Sequence, residues 1–136
     1  MIRSANAVWN GSLKEGNGTV SSETTLSNVP YSFRTRFADG VGLNPEELIA
    51  AAHASCFSMA LSGQLGERGI TPESVETTAA VTMENLTVTK SALSCTVIAP
   101  GADSGKVTEA ANAAKDGCPI SRLLKTEITL ELTFEP

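Results

Sequence analysis

The run Asn44-Pro45-Glu46-Glu47-Leu48-Ile49-Ala50-Ala51-Ala52-His53-Ala54-Ser55-Cys56-Phe57-Ser58-Met59-Ala60-Leu61 admits one local structure. Asn44 is an N-cap, Pro45 suits the first helical position, and Glu47 three residues on closes a capping box. Glu46 and Glu47 place acidic charge at the positive end of the helix dipole. Gly66 and Gly69 supply a stop. The body is apolar on nearly every face, which predicts a long central helix buried on most sides. The rest of the chain must then supply surfaces to cover it.

Those surfaces read as strands. Glu15-Gly16-Asn17-Gly18 separates a segment around Val8 and Trp9 from the β-prone Gly18-Thr19-Val20-Ser21-Ser22, and predicts a hairpin. A third strand is predicted over Val29 to Phe37, with Pro30 near its start. After Pro72 the period becomes two: Val75, Thr77, Ala79, Val81 and Met83 alternate with polar or small partners. Glu84-Asn85 reads as a turn, and the return strand to Ala99 sets Leu93, Cys95, Val97 and Ala99 on one face. Val107, Ala110, Ala111 and Ala114 carry helical spacing up to Gly117. Ile128, Leu130, Leu132 and Phe134 mark a last strand. One wet face per strand predicts antiparallel sheets, and the grouping predicts a single α+β domain over residues 1–136. At 136 residues the chain has room for one domain and one core. Aromatics make up only 4%, so that core is built from small aliphatics, and pairing of two copies is a source of further stability.

Charge narrows the partners. Ten basic and 15 acidic residues give a net −5 with no Lys/Arg run, so no nucleic-acid partner is expected. The first residues contain no apolar h-region. Leu48 to Leu61 is shorter than a span of about 20 residues and contains His53, Ser55 and Ser58. No membrane partner is expected, and the expected location is cytoplasmic. There, three cysteines read as redox or metal chemistry rather than a disulfide framework.

Locally, Cys56 reads as a small core residue one turn beyond His53, and Cys95, between Leu93 and Val97, as another. Cys118 differs: it stands at the N-cap of a short helix opened by Pro119, where backbone N–H groups favour a thiolate. A zinc site from His53, Cys56, Cys95 and Cys118 is the alternative. With one histidine, no Cys-x-x-Cys pair and a core-like Cys95, no metal is expected. No nucleotide-binding glycine motif is present, and no cofactor is expected. On their own, Arg36 and Glu46 read as a solvated strand residue and a helix-dipole carboxylate.

The Asn44–Leu61 segment resembles the signature helix of the OsmC/Ohr family of thiol peroxidases. Gly117-Cys118-Pro119-Ile120-Ser121 resembles that family's second-cysteine motif, and Tyr31-Ser32-Phe33-Arg34-Thr35-Arg36-Phe37 is similar to the OsmC branch in particular. The resemblance implies a thiol-dependent reductase of organic hydroperoxides with an OsmC-like fold, acting as an intertwined homodimer. It implies that Cys56 attacks the peroxide and becomes a sulfenic acid, that Cys118 resolves it as a disulfide, and that a dithiol, such as lipoyl groups on other proteins, reduces the product. Arg36 matches the family's active-site arginine and Glu46 its partner. An apolar helix raises a thiol pKa, so Cys56 needs a cation beside it; a guanidinium qualifies, and Glu46 offsets the cost of holding it.

Ten residues of helix separate Glu46 from Cys56 by about 15 Å. That offset predicts that Arg36 and Glu46 are donated to Cys56 across a two-fold interface. Phe57, Met59, Ile120 and Leu123 flank the cysteines as candidates for an apolar substrate slot, with Met59 expected in the core. The competing class is a non-catalytic redox-sensing or small-ligand-binding protein of the same fold.

Overall fold

In the computed structural model, which describes residues 1–136, contacts gather into two units, Met1–Glu47 and Leu48–Pro136. The first begins with the expected hairpin. Strand β1 (Ala5–Asn10) pairs antiparallel with β2 (Asn17–Ser22), and β2 pairs with β3 (Val29–Tyr31). Gly18 lies opposite Trp9 on one side and Tyr31 on the other. A Cβ there would stand 2.6 Å from the Tyr31 ring and 2.9 Å from Trp9. Glycine thus lets the two rings approach to 5.3 Å between centroids across the strand.

The strand expected from Val29 to Phe37 is only three residues long. It stops at Tyr31, and helix α1 (Phe33–Phe37) follows. The cause is a local Ser-x-x-Thr capping box: Ser32 Oγ accepts from Thr35 N–H at 3.4 Å, and Thr35 Oγ1 accepts from Ser32 N–H at 2.9 Å. Side chains that bond their own backbone this way compete successfully with a sheet ladder. Arg36 therefore sits on a helix, not on a strand.

Helix α2 (Pro45–Glu67) is the segment foreseen. Asn44 Oδ1 accepts from the N–H groups of Glu46 (2.8 Å) and Glu47 (3.2 Å). The helix ends where Ile70 N–H bonds back to Leu65 O at 2.9 Å, a closure that needs Gly69 at φ +74°. At 23 residues it outruns the apolar stretch that ends at Leu61, and it is long and apolar enough to cross a membrane by length and composition. Only one stripe is buried: His53, Phe57, Leu61 and Leu65, four residues apart. Leu48, Ala51, Ser55, Met59 and Ser62 are exposed, so within one chain the helix is not buried on most sides. Uniform apolarity told nothing of which face this chain itself would cover.

The buried stripe packs on the second sheet. β4 (Ser74–Glu84) and β5 (Thr87–Ile98) form an antiparallel hairpin turned by Asn85 and Leu86, both at positive φ. The predicted face of the return strand is the buried one: Leu93, Cys95 and Val97 on β5 and Ala99 just beyond it. β6 (Glu127–Glu135) then pairs with β5 in parallel, which corrects the all-antiparallel expectation. The reason is the connection: α3 (Ser104–Gly117) and α4 (Pro119–Leu123) carry the chain back to the start of β5, as parallel neighbours require. One wet face per strand does not distinguish this mixed order, β4-β5-β6, from an antiparallel one. The core joins the α2 stripe to the β5 face and to Val107, Ala110, Ala111 and Ala114 of α3, the four residues whose spacing announced that helix.

Candidate active site

Cys56 and Cys118 are 62 residues apart in sequence and their Sγ atoms are 3.0 Å apart in space; both are free thiols. α2 brings Cys56 to the meeting point one turn after His53. Cys118 arrives as the residue that both ends α3 and caps α4, held by its N–H to Ala114 O at 2.9 Å. Cys118 is fully buried, while Cys56 is partly open.

The two sulfurs are electrostatically unequal. Burial pushes the Cys56 thiol up, and its contact with Cys118 pushes it further, against a smaller pull from the Ile120 backbone. Burial opposes ionisation of Cys118 too. The Cys56 thiol, the Ser121 backbone and hydroxyl and the Ile120 backbone favour the anion. Together they outweigh burial and bring Cys118 below its ordinary value.

His53 is wholly buried beneath this pair and is held at both nitrogens: Nδ1 lies 2.6 Å from Ser91 Oγ and Nε2 2.8 Å from Ser121 Oγ. Burial pulls its pKa below the usual imidazole value, so it is held neutral. Sequence reading placed His53 near the cysteines but missed its serines. Ser121 stands in the second-cysteine motif, whereas Ser91 carries no local signal, being one polar residue on the buried face of β5. Cys95 occupies the core, with Thr77 Oγ1 at 3.4 Å from its sulfur, and burial raises its pKa.

Arg36 and Glu46 lie in the first unit and face each other in a two-point pair. Arg36 Nη2 donates to Glu46 Oε1 at 2.7 Å and Nε to Oε2 at 3.3 Å. The hydrogen bond from Arg36 holds the Glu46 carboxyl below the usual range and, reciprocally, raises Arg36. The pair is built by the junction of α1 and α2. Asn44 caps α2 with its oxygen, while its Nδ2 donates to the carbonyls of Thr35 (3.3 Å) and Arg36 (3.4 Å) at the end of α1. The guanidinium also stands 5.1 Å from the Phe37 ring centroid. Beside it opens a cavity of about 220 Å³ lined by Trp9, Leu13, Tyr31, Ser32, Phe33, Arg36 and Phe37. Sequence reading missed this pocket because its aromatics come from three elements with no shared periodicity.

Of the four residues suggested for an apolar slot, Phe57 is sealed in the core and Ile120 is packed against it. Leu123 is exposed, and Met59, expected in the core, is 77% exposed. Met59 points away from the His53–Leu65 stripe because it is two residues from each of Phe57 and Leu61, on the other side of the helix.

A family model described as OsmC-like protein matches residues 38–133. A peroxiredoxin OsmC from Escherichia coli is 51% identical over 130 residues, which cover 92% of this chain and 91% of that protein. The fold matches an OsmC-like protein from Mycoplasma pneumoniae with a TM-score of 0.78 at 14% identity, covering 100% and 99% of the two chains. It also matches an organic hydroperoxide resistance protein OsmC from Legionella pneumophila with a TM-score of 0.70 at 22% identity, covering 98% and 97%. By sequence along nearly its whole length, and by fold, the chain belongs to the OsmC family.

Proposed function

We propose that the protein is a cysteine-based peroxidase that reduces organic hydroperoxides to alcohols through Cys56 and Cys118. The observation that carries the reading is the 3.0 Å approach of two free thiols from opposite parts of the chain. In the first step the Cys56 thiolate attacks the terminal peroxide oxygen. The O–O bond breaks, the alkoxide takes a proton and leaves as alcohol, and Cys56 is oxidised to a sulfenic acid. In the second, Cys118 attacks the Cys56 sulfur, the S–O bond breaks, and hydroxide takes a proton to leave as water. The resulting disulfide is reduced by an external dithiol, for which lipoyl groups of other proteins are the proposed source. No cofactor enters the cycle.

Cys118 is the more acidic thiol, yet Cys56 is assigned the first attack. A peroxide must reach the sulfur it oxidises, and Cys118 is fully buried. Cys56 in turn needs a cation to ionise at neutral pH. Arg36, locked in its pair with Glu46, is that cation, donated in an intertwined homodimer whose protomers each work as one OsmC-like domain in the cytoplasm. The aromatic cavity beside Arg36 receives the organic tail, which gives alkyl and aryl hydroperoxides their advantage over hydrogen peroxide. The name peroxiredoxin carried by the 51%-identical relative supports an enzyme over a sensor.

Intact-mass measurement before and after one equivalent of cumene hydroperoxide tests the cycle. The expected change is a loss of about two mass units in the wild type, abolished in Cys56→Ser and in Cys118→Ser, with sulfenic acid on Cys56 in the latter. An unoxidised Cys56 in Cys118→Ser would reverse the order of the two thiols. A protein that oxidises once but does not turn over with any dithiol would be a sensor.

A further inference from the structure

The Sγ atoms of Cys56 and Cys118 lie 3.0 Å apart as free thiols, one carried by α2 and the other by the junction of α3 and α4. Two sulfurs held that close are a chelating pair as well as a redox pair. We propose that Cys56 and Cys118 together capture monosubstituted trivalent arsenicals, in which arsenic carries one organic group and an oxide, and that a dithiol releases them. Capture needs only the reduced thiols and no peroxide step, so it stands apart from the peroxidase reading.

Three observations select this class of ligand. The first is the number of donors. No group of three or more His, Cys, Asp or Glu side chains is placed to hold a metal ion. His53, one turn before Cys56, has both ring nitrogens engaged, Nδ1 with Ser91 Oγ at 2.6 Å and Nε2 with Ser121 Oγ at 2.8 Å. Cys95 is buried in the core with Thr77 Oγ1 as its partner at 3.4 Å. Two thiols without further protein ligands are too few for a structural zinc, which takes four.

The second is the separation. With bonds of about 2.3 Å, tetrahedral zinc sets two sulfurs about 3.8 Å apart and a linear copper(I) about 4.6 Å apart. Trivalent arsenic is pyramidal and bonds at close to right angles, so bonds of that same length of about 2.3 Å set its sulfurs about 3.3 Å apart. The observed 3.0 Å is nearest to the arsenic spacing. The third is access. Cys118 is fully buried and Cys56 is partly open, so arsenic enters at Cys56, closes on Cys118, and keeps its organic group on the open side.

The step balances without a change of oxidation state. The Cys56 sulfur attacks arsenic, then the Cys118 sulfur. Two As–S bonds form, the bonds from arsenic to its oxygen break, and the oxygen leaves as water with the two thiol protons. Arsenic stays trivalent and neither sulfur is oxidised. The lowered pKa of Cys118 assists ring closure. Because the second bond is intramolecular, the pair retains the arsenical about a hundredfold better than one thiol does.

The test mixes reduced protein with one equivalent of phenylarsine oxide in excess glutathione, a monothiol, then desalts it and measures its intact mass. The expected result is one phenylarsenic group on the wild type and on Cys95→Ala, about a hundredfold less on Cys56→Ser and on Cys118→Ser, and full release by dimercaptopropanol. A wild type that carries no arsenic overturns the proposal. So does a serine variant that retains it as the wild type does, or a folded Cys95→Ala that loses it. Circular dichroism checks each fold, and since either serine variant removes half of the pair, one folded variant decides. A wild type that holds the arsenical but turns over no cumene hydroperoxide with any dithiol would refute the peroxidase reading and leave the chelating pair intact.

Discussion

Arg36 and Glu46 show how much a residue's environment adds to its identity. Each alone is unremarkable, a cation on a short helix and a carboxylate in the first turn of a long one. Asn44 ties the two helix ends together and turns them into a two-point ion pair. Its pH dependence has a definite sign. The hydrogen bond from Arg36 lowers the Glu46 pKa in the fold relative to about 4.3 in the unfolded chain. A lowered carboxyl pKa stabilises the fold above the unfolded value, and that contribution is lost as pH falls through the folded one. Glu46→Gln is therefore expected to melt below the wild type near pH 7, with the gap closing below about pH 4. A gap of constant size down to pH 3 in thermal melts would mean that the carboxylate charge is not its origin. The sequence motif pointed to both residues, but not to Asn44's second role or to Ser91, because neither a side-chain amide's far end nor a single buried hydroxyl leaves a periodic trace.

At the scale of elements, legibility tracked how many residues had to agree. α3 was announced by four apolar positions, and those four are its buried face. The faces of β4, β5 and β6 were readable from alternation alone. The third strand was misread beyond Tyr31 because β-prone Phe33 and Phe37 carried the pattern while a two-residue capping box decided the structure. The parallel pairing of β6 was not readable, since direction resides in the connection and not in the strand. The β4–β5 turn holds a local conflict of its own. Asn85 and Leu86 lie at φ +51° and +60°, a two-residue turn that ordinarily takes glycine at its second position. Leu86 is 78% exposed, so its side chain contributes little packing in return. Leu86→Gly relieves about 1 kcal/mol of left-handed strain, less the entropy glycine adds to the unfolded chain. The variant is expected to raise the urea midpoint slightly with an unchanged slope. A fall of more than about 1 kcal/mol would instead show that Leu86 is buried by something outside this chain.

The whole molecule carries a larger imbalance of the same kind. α2 is apolar around its circumference, yet one chain covers only the His53–Leu65 stripe. Across from it run Ala51, Ser55, Met59 and Ser62, small residues that permit close approach of another helix, with Met59 as the one large side chain. A second copy of the chain is the occupant we propose for that face, in keeping with the proposed donation of Arg36 and Glu46 across a two-fold interface. Met59→Glu tests both ideas together. In the single chain Met59 contacts mostly solvent, so the fold of the protomer should survive the change, as circular dichroism would show. In a two-fold pair the same substitution appears twice around one axis and buries two unpaired carboxylates, a penalty of several kcal/mol. The wild type is expected to sediment at twice 14.1 kDa and the variant at 14.1 kDa. If Arg36 is shared across the pair as proposed, peroxide turnover should collapse in step with the loss of the dimer. A variant that is monomeric and fully active would separate the two claims: the apolar face would still be an interface, but Arg36 would not be shared across it.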